Sequence, residues 1–145
     1  MQRSLEEKRA PRCLCATVRR TARLLTRRYE EALRPAGMTV SQFELMNVVQ
    51  AMQPVEQTRL AKVLETDQTT LSRNMRLLVE LGWLETVADV SDRRRRRYRL
   101  GAIGTEVLRE ARRCWQRVHE EMDRTLQMSE LWLVLDRVQN AARVE

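Results

Sequence analysis

The chain has 145 residues, 43% of them hydrophobic, with only 4 Gly and 3 Pro. That suffices for one packed core and leaves little for flexible linkers, so one compact domain, or a domain with a helical annex, is expected. The 27 Lys and Arg outnumber the 20 Asp and Glu for a net charge of +7, which favours a polyanionic partner and says nothing of fold.

The first ten residues are too polar for a secretory signal, and no apolar run approaches the roughly 18 residues of a membrane span. From Cys13 to Leu33 the positions Leu14, Val18, Leu25, Tyr29 and Leu33 recur at helical spacing, and Pro35-Ala36-Gly37 stops that helix. Ser41 is the expected cap of a second helix carrying Phe43, Leu45, Met46, Val48, Val49 and Met52, which Pro54 ends. A short third helix holds Leu60, Ala61 and Leu64. The fourth starts after Thr66 or Asp67, turns Leu71, Met75, Leu78 and Leu81 inward, and ends at Gly82.

Trp83 to Val87 then alternates apolar and polar as a strand does, and Tyr98 to Leu100 is its return strand. Between them Arg93 to Arg97, with Arg99 after, form an arginine run. A long helix follows from about Thr105 to Gln127, roughly 34 Å at 1.5 Å per residue. Its stripe Leu108, Ala111, Trp115, Val118 and Met122 is too long for one small domain to cover. A second copy of the chain is the simplest partner for it. Ser129 is the expected cap of a last helix through Leu131, Leu135, Val138 and Ala142.

Short helix, turn, longer helix, strand, basic loop and return strand make a winged helix-turn-helix over residues 38–100. The expected fold is mainly α with a small β-wing, a single domain over 1–145, with 13–36 and 102–145 as dimerisation helices. Such a domain presents one helix to the major groove of double-stranded DNA and a loop to the neighbouring minor groove. The outward residues of the fourth helix are Gln68, Thr69, Thr70, Ser72, Arg73 and Arg76. Their hydroxyls bond phosphates or base edges, and the arginines reach guanine O6 and N7 or bridge to phosphates.

The segments M-T-V-S-Q-F-E-L-M at 38–46, L-A at 60–61, T-T-L-S-R at 69–73, L-x-x-x-G at 78–82 and D-R-R at 92–94 resemble the MarR family of bacterial repressors. The ordered match spans about residues 13 to 140. The resemblance implies a homodimer with two recognition helices in successive major grooves of a pseudo-palindromic operator, repressing by occlusion of a promoter. It also implies that Asp92 orients an arginine of the wing, with guanidinium groups near the narrow minor groove. Arg94 is the expected minor-groove residue, and Arg95, Arg96 and Arg97 are expected as general phosphate contacts. Two places depart from the family pattern. Leu100-Gly101-Ala102-Ile103-Gly104 stands where Leu-Thr-x-x-Gly is usual, and the third helix opens at Glu56 rather than Ser or Thr.

The signal is open between an oxidant, a small-molecule inducer and none at all, a constitutive regulator. Leu14-Cys15 followed by Arg23, Thr26 and Tyr29 resembles the first helix of the organic-hydroperoxide-sensing branch of the family. There a cysteine is oxidised and tyrosines of the partner subunit hold its thiolate. Tyr29 matches one of them, while Arg19 and Val40 occupy the other two places. Cys13 and Cys15, two positions apart near a helix start, are expected on opposite faces and unable to bridge. The ligand reading rests on the family's cleft between dimer helices and DNA-binding lobe, beside Trp115 and Trp132, with His119 placed on the surface.

Three cysteines, an odd number with no export signal, point to a reducing, cytoplasmic setting. No metal or other cofactor is expected, because Cys114 and His119 lie at no ligand spacing. No enzyme is expected either: the chain has 1 His, no phosphate-binding glycine loop and no nucleophile paired with a base. A winged helix used only for protein contact is the alternative from another class.

Overall fold

In the computed structural model, which describes residues 13–88 and 96–143, the order is α1 (Leu14–Leu33), a 3₁₀ turn (Arg34–Ala36), α2 (Val40–Met52), β1 (Val55–Glu56), α3 (Gln57–Val63), α4 (Gln68–Glu80), β2 (Leu84–Ala88), β3 (Arg96–Leu100), α5 (Ala102–Leu126) and α6 (Met128–Ala142). The fold is mainly helical, with one small antiparallel sheet in the order β1-β3-β2. The register sets Leu84 opposite Leu100 and Ala88 opposite Arg96. Strand β1, too short to show any alternation, was not expected from the sequence; it sets Val55 opposite Tyr98.

Two predicted caps are corrected. Thr39, not Ser41, opens α2: its hydroxyl accepts from the Gln42 amide at 3.2 Å, and the Gln42 side chain accepts from the Thr39 N–H at 2.9 Å. Thr followed by Gln three residues on closes a reciprocal box that Ser41 has no partner for. Ser129 lies inside α6, because Gln127 takes a left-handed φ of 48° and the helix restarts at once. Asp67, of the two candidates, caps α4, accepting from the Thr70 amide at 2.8 Å. Gly82, at φ 69°, follows that helix's end, a backbone setting that suits glycine.

Helix α5 starts at Ala102, earlier than expected, with no side-chain cap. The cause is crowding. A Cβ on Gly101 would stand 2.7 Å from the Gly82 carbonyl oxygen, so the hydroxyl residue of the family pattern has no room.

The core lies where α2, α4 and α5 meet the sheet. Leu33, Met46, Val49, Leu60, Leu78, Leu84, Leu108 and Ala111 are sealed within it. Leu81, expected inside, is 44% exposed, as it sits beyond the last turn of α4. Arg112 ties α5 to α2, donating to Asn47 Oδ1 at 2.9 and 2.6 Å. The outer helices differ sharply from this centre. Of 20 residues in α1 only Leu33 is buried, and of α6 only Met128. Leu14, Val18, Leu24, Trp132, Leu133 and Val134 are exposed. Among the described residues no helix is long and apolar enough to cross a membrane.

Candidate nucleic-acid interface

Helix α4 is two-faced because its apolar residues step by four and three: Leu71, Met75 and Leu78 are buried. The opposite face presents Gln68, Thr69, Arg73 and Arg76, all exposed, which with Ser72 line one shallow concavity. Two of the predicted site residues are engaged within the protein. Thr70 serves the cap: hydrogen bonds from its hydroxyl and its amide hold the Asp67 carboxyl below the ordinary value of 3.8. Ser72 is half-buried, and its Oγ accepts from Gln57 Nε2 at 2.6 Å. Gln57, the first residue of α3, was missed from sequence. Its only signal was its place at a helix start facing the fourth helix across the turn.

In the wing, Asp92, Arg94 and Arg95 lie outside the described residues. Arg96 opens β3 and is exposed. The next two arginines of the run are engaged by carboxylates of the protein. Arg97 lies 4.0 Å from Glu56, and Arg99 pairs with Glu85 at 2.9 Å. Residues 97 and 99 share one face of β3, and each stands directly opposite its carboxylate, Glu56 on β1 and Glu85 on β2.

The predicted sensing residues are not brought together within the chain. Cys13 and Cys15 are exposed, and Cys114 is buried. Cys13 is the N-cap of α1, with extended backbone at φ −76° and ψ 118°. It therefore stands outside the helix, and the expectation that helical geometry fixes the two thiols on opposite faces is corrected. Tyr29 lies fourteen residues along α1 from Cys15, about 21 Å at 1.5 Å per residue. It is half-buried, which pushes its phenol pKa up, and it borders a cleft of about 750 Å³ between α1, α2, α5 and α6. In that cleft Phe43 stacks on Trp115 at 5.9 Å, and Trp115 on His119 at 4.2 Å. His119 is thus part-buried in an aromatic stack rather than on the surface, as its spacing suggested. Among the described residues no group of three or more His, Cys, Asp or Glu is placed to hold a metal ion.

Comparison with known proteins agrees with this geometry. A family profile described as a winged helix DNA-binding domain matches residues 38–104. No curated protein matches the sequence significantly. Among solved structures, the M. tuberculosis transcriptional regulator MosR in complex with DNA is similar at 30% identity and a TM-score of 0.75, over 92% of this chain and 100% of that one. A mutant of E. coli MarR complexed with operator DNA gives 22% identity and a TM-score of 0.80, over 90% and 94% of the two chains. The transcriptional repressor CouR bound to a DNA duplex gives 20% and 0.81, over 90% and 93%. The last two likenesses concern the fold alone. With a 30% identical regulator matched along its whole length, and the helix-turn-helix and the two wing strands in place, the chain belongs to the MarR family of winged helix-turn-helix regulators.

Proposed function

We propose that the chain is a repressor that reads a pseudo-palindromic site in double-stranded DNA as a homodimer, with α4 in the major groove and the arginine wing at the minor groove. The observation that carries this reading is the outer face of α4. Gln68, Thr69, Arg73 and Arg76 stand exposed and contiguous on a helix whose other face is sealed in the core. Short polar groups and guanidinium forks read base edges there, and phosphate contacts fix the register. MosR, 30% identical, was solved in complex with DNA, which supports the same partner here. The barely buried α1 and α6 support a dimer in which residues 13–36 and 102–145 intertwine with their copies. Repression then follows from occlusion of a promoter, with no catalysis and no cofactor.

The test is fluorescence anisotropy on a duplex covering the gene's own upstream region, with sedimentation of the free protein. Tight, salt-dependent binding by a dimer is expected, since each neutralised phosphate releases counterions. Binding of neither duplex nor single-stranded RNA would favour a protein-contact module, and equal binding of both would show a general polyanion binder. Arg94→Ala is expected to weaken duplex binding and leave the dimer intact.

Two observations bear on the signal. The exposed Cys13 and Cys15, with Cys13 free of the helix, favour oxidation of Cys15. Its thiolate attacks the hydroperoxide O–O bond, giving a sulfenic acid and releasing an alcohol. Tyr29 would serve such a thiolate only from the partner subunit. The aromatic cleft beside Trp115 and Trp132 favours a small-molecule inducer instead. Loss of DNA binding on treatment with an organic hydroperoxide, abolished by Cys15→Ser, selects the first. Binding that ignores the oxidant removes the first and leaves a small-molecule signal or none at all.

A further inference from the structure

The entry of the recognition helix is set by the two residues that separate it from α3. Leu64 ends α3 and Asp67 caps α4, so Glu65 and Thr66 are the whole of the turn. Glu65 has φ 48°. Its N–H donates to the Lys62 carbonyl at 3.4 Å, and the Thr66 N–H donates to the Ala61 carbonyl at 3.2 Å. This pair of bonds closes a helix through a left-handed residue, a place where glycine is usual because a side chain is disfavoured there. Here a glutamate holds it, and its carboxylate is in use. Nη2 and Nε of Arg143 donate to Glu65 Oε1 at 2.7 and 3.2 Å. Arg143 is the C-cap of α6, and its Nη1 donates to Asn140 Oδ1 at 3.3 Å, which orients the guanidinium from its own helix.

We infer that Glu65 and Arg143 form a clasp that positions the recognition helix, neither of them touching DNA. The inference rests on the reading of α4 as the helix that enters the groove. A glutamate at the left-handed position sacrifices local stability and gains a link between the end of α6 and the turn that aims Gln68 and Thr69. Helix α6 also walls the aromatic cleft with Leu131, Trp132 and Leu135. A shift of α6 at the cleft therefore reaches the DNA-reading turn through this pair.

The experiment first selects a duplex from a randomised pool with the wild-type protein, then measures affinity for it and melting temperature in Glu65→Gly, Arg143→Gln and the double variant. Glu65→Gly relieves the left-handed strain and loses one exposed ion pair, so it is expected to melt at or up to about 3 °C above wild type. It is nevertheless expected to bind the selected duplex about fivefold more weakly, the ceiling for a solvent-exposed ion pair. Replacing a residue with a merely structural role would not keep or raise stability while lowering affinity. Arg143→Gln should lose the same factor, and the double variant no more than either single change. Glu65→Gly binding as tightly as wild type, or tighter, overturns the clasp. Losses that multiply in the double variant also overturn it, since Arg143 would then contact phosphate directly. A wild-type protein that selects no duplex overturns the DNA-reading role of α4, and the clasp with it.

Discussion

Of the chain's glycines, Gly104 leaves the least room for a Cβ, at the contact between α5 and the root of the wing, and Gly104→Ala tests that contact. Gly104 lies in the first turn of α5, against the backbone of Trp83, the residue before β2. A Cβ there would stand 1.9 Å from the Trp83 carbonyl oxygen and 2.7 Å from its carbon, where contacts under 3.0 Å are essentially never seen. Both partners are main chain, so no side chain can swing aside. The same carbonyl accepts the Gly101 N–H at 3.0 Å, and separating the elements breaks that bond. Overpacking costs about 1 to 3 kcal/mol, and the broken bond about 1 kcal/mol more. The gain in helix propensity from Gly to Ala offsets about 1 kcal/mol. The expected net loss is about 1 to 3 kcal/mol, a fall in melting temperature of roughly 3 to 9 °C. DNA affinity should drop as well, because β2 carries the wing outward from this point. Gly37→Ala is the control: φ is 64° but nothing lies within 4 Å of the added carbon, so only the left-handed conformation is penalised, by about 1 kcal/mol. Thermal unfolding by circular dichroism checks both. A Gly104→Ala protein melting at or above wild type would refute the argument that this contact fixes the wing on α5.

Arg73→Ala and Arg76→Ala should each reduce duplex affinity, by about 1 to 3 kcal/mol where the arginine reads a base, or by about one unit of salt slope where it meets a phosphate; anisotropy at several salt concentrations separates the two, and unchanged binding removes the residue from the interface. Leu133→Glu, which places a charge in the exposed apolar face of α6, should convert dimer to monomer in sedimentation and weaken DNA binding; a retained dimer would move the interface off α6. The Asp67 carboxyl is held below 3.8 by Thr70, so the fold prefers its ionised form: the cap's contribution is complete above the ordinary carboxylate range and is lost as pH falls through the depressed folded value. The melting-temperature advantage of wild type over Asp67→Asn should therefore shrink on acidification below 3.8, and an advantage independent of pH would show that the charge plays no part.

The helix-turn-helix was legible because its signals are local and strong. Leu71, Met75 and Leu78 carry the helical period, Asp67 and Gly82 punctuate it, and the alternation after Trp83 marks a strand. What the sequence concealed depends on partners far along the chain. Strand β1 has two residues and exists only because Tyr98 and Arg97 come back to pair with it. Crowding at Gly101 comes from Gly82, and nothing in the run Leu100 to Gly104 announces it. Ser41 and Ser129 illustrate the opposite error. Each is a good cap by type, but Thr39 with Gln42 closed the first helix start, and Gln127 broke the chain before the second. Gln57 and Ser72 lie fifteen residues apart and meet only when α3 and α4 fold together.

That last pair changes what the recognition face offers. Because Ser72 Oγ accepts from Gln57, the proton of its own hydroxyl is available to donate, so Ser72 suits an acceptor in the groove such as guanine O6 or thymine O4 rather than a cytosine amine. Thr70 is spent on the Asp67 cap, which leaves Gln68 and Thr69 as the groups able to take either role, with Arg73 and Arg76 as donors only. The wing is thinned in the same way. Arg97 is expected on phosphate from the sequence, yet Arg97 and Arg99 are matched to Glu56 and Glu85 on the adjoining strands. Those two pairs brace the sheet that carries the loop, and they engage two of the six arginines of the run. The basic balance of the chain therefore overstates its DNA-facing charge, and the salt dependence of binding should reflect the smaller set.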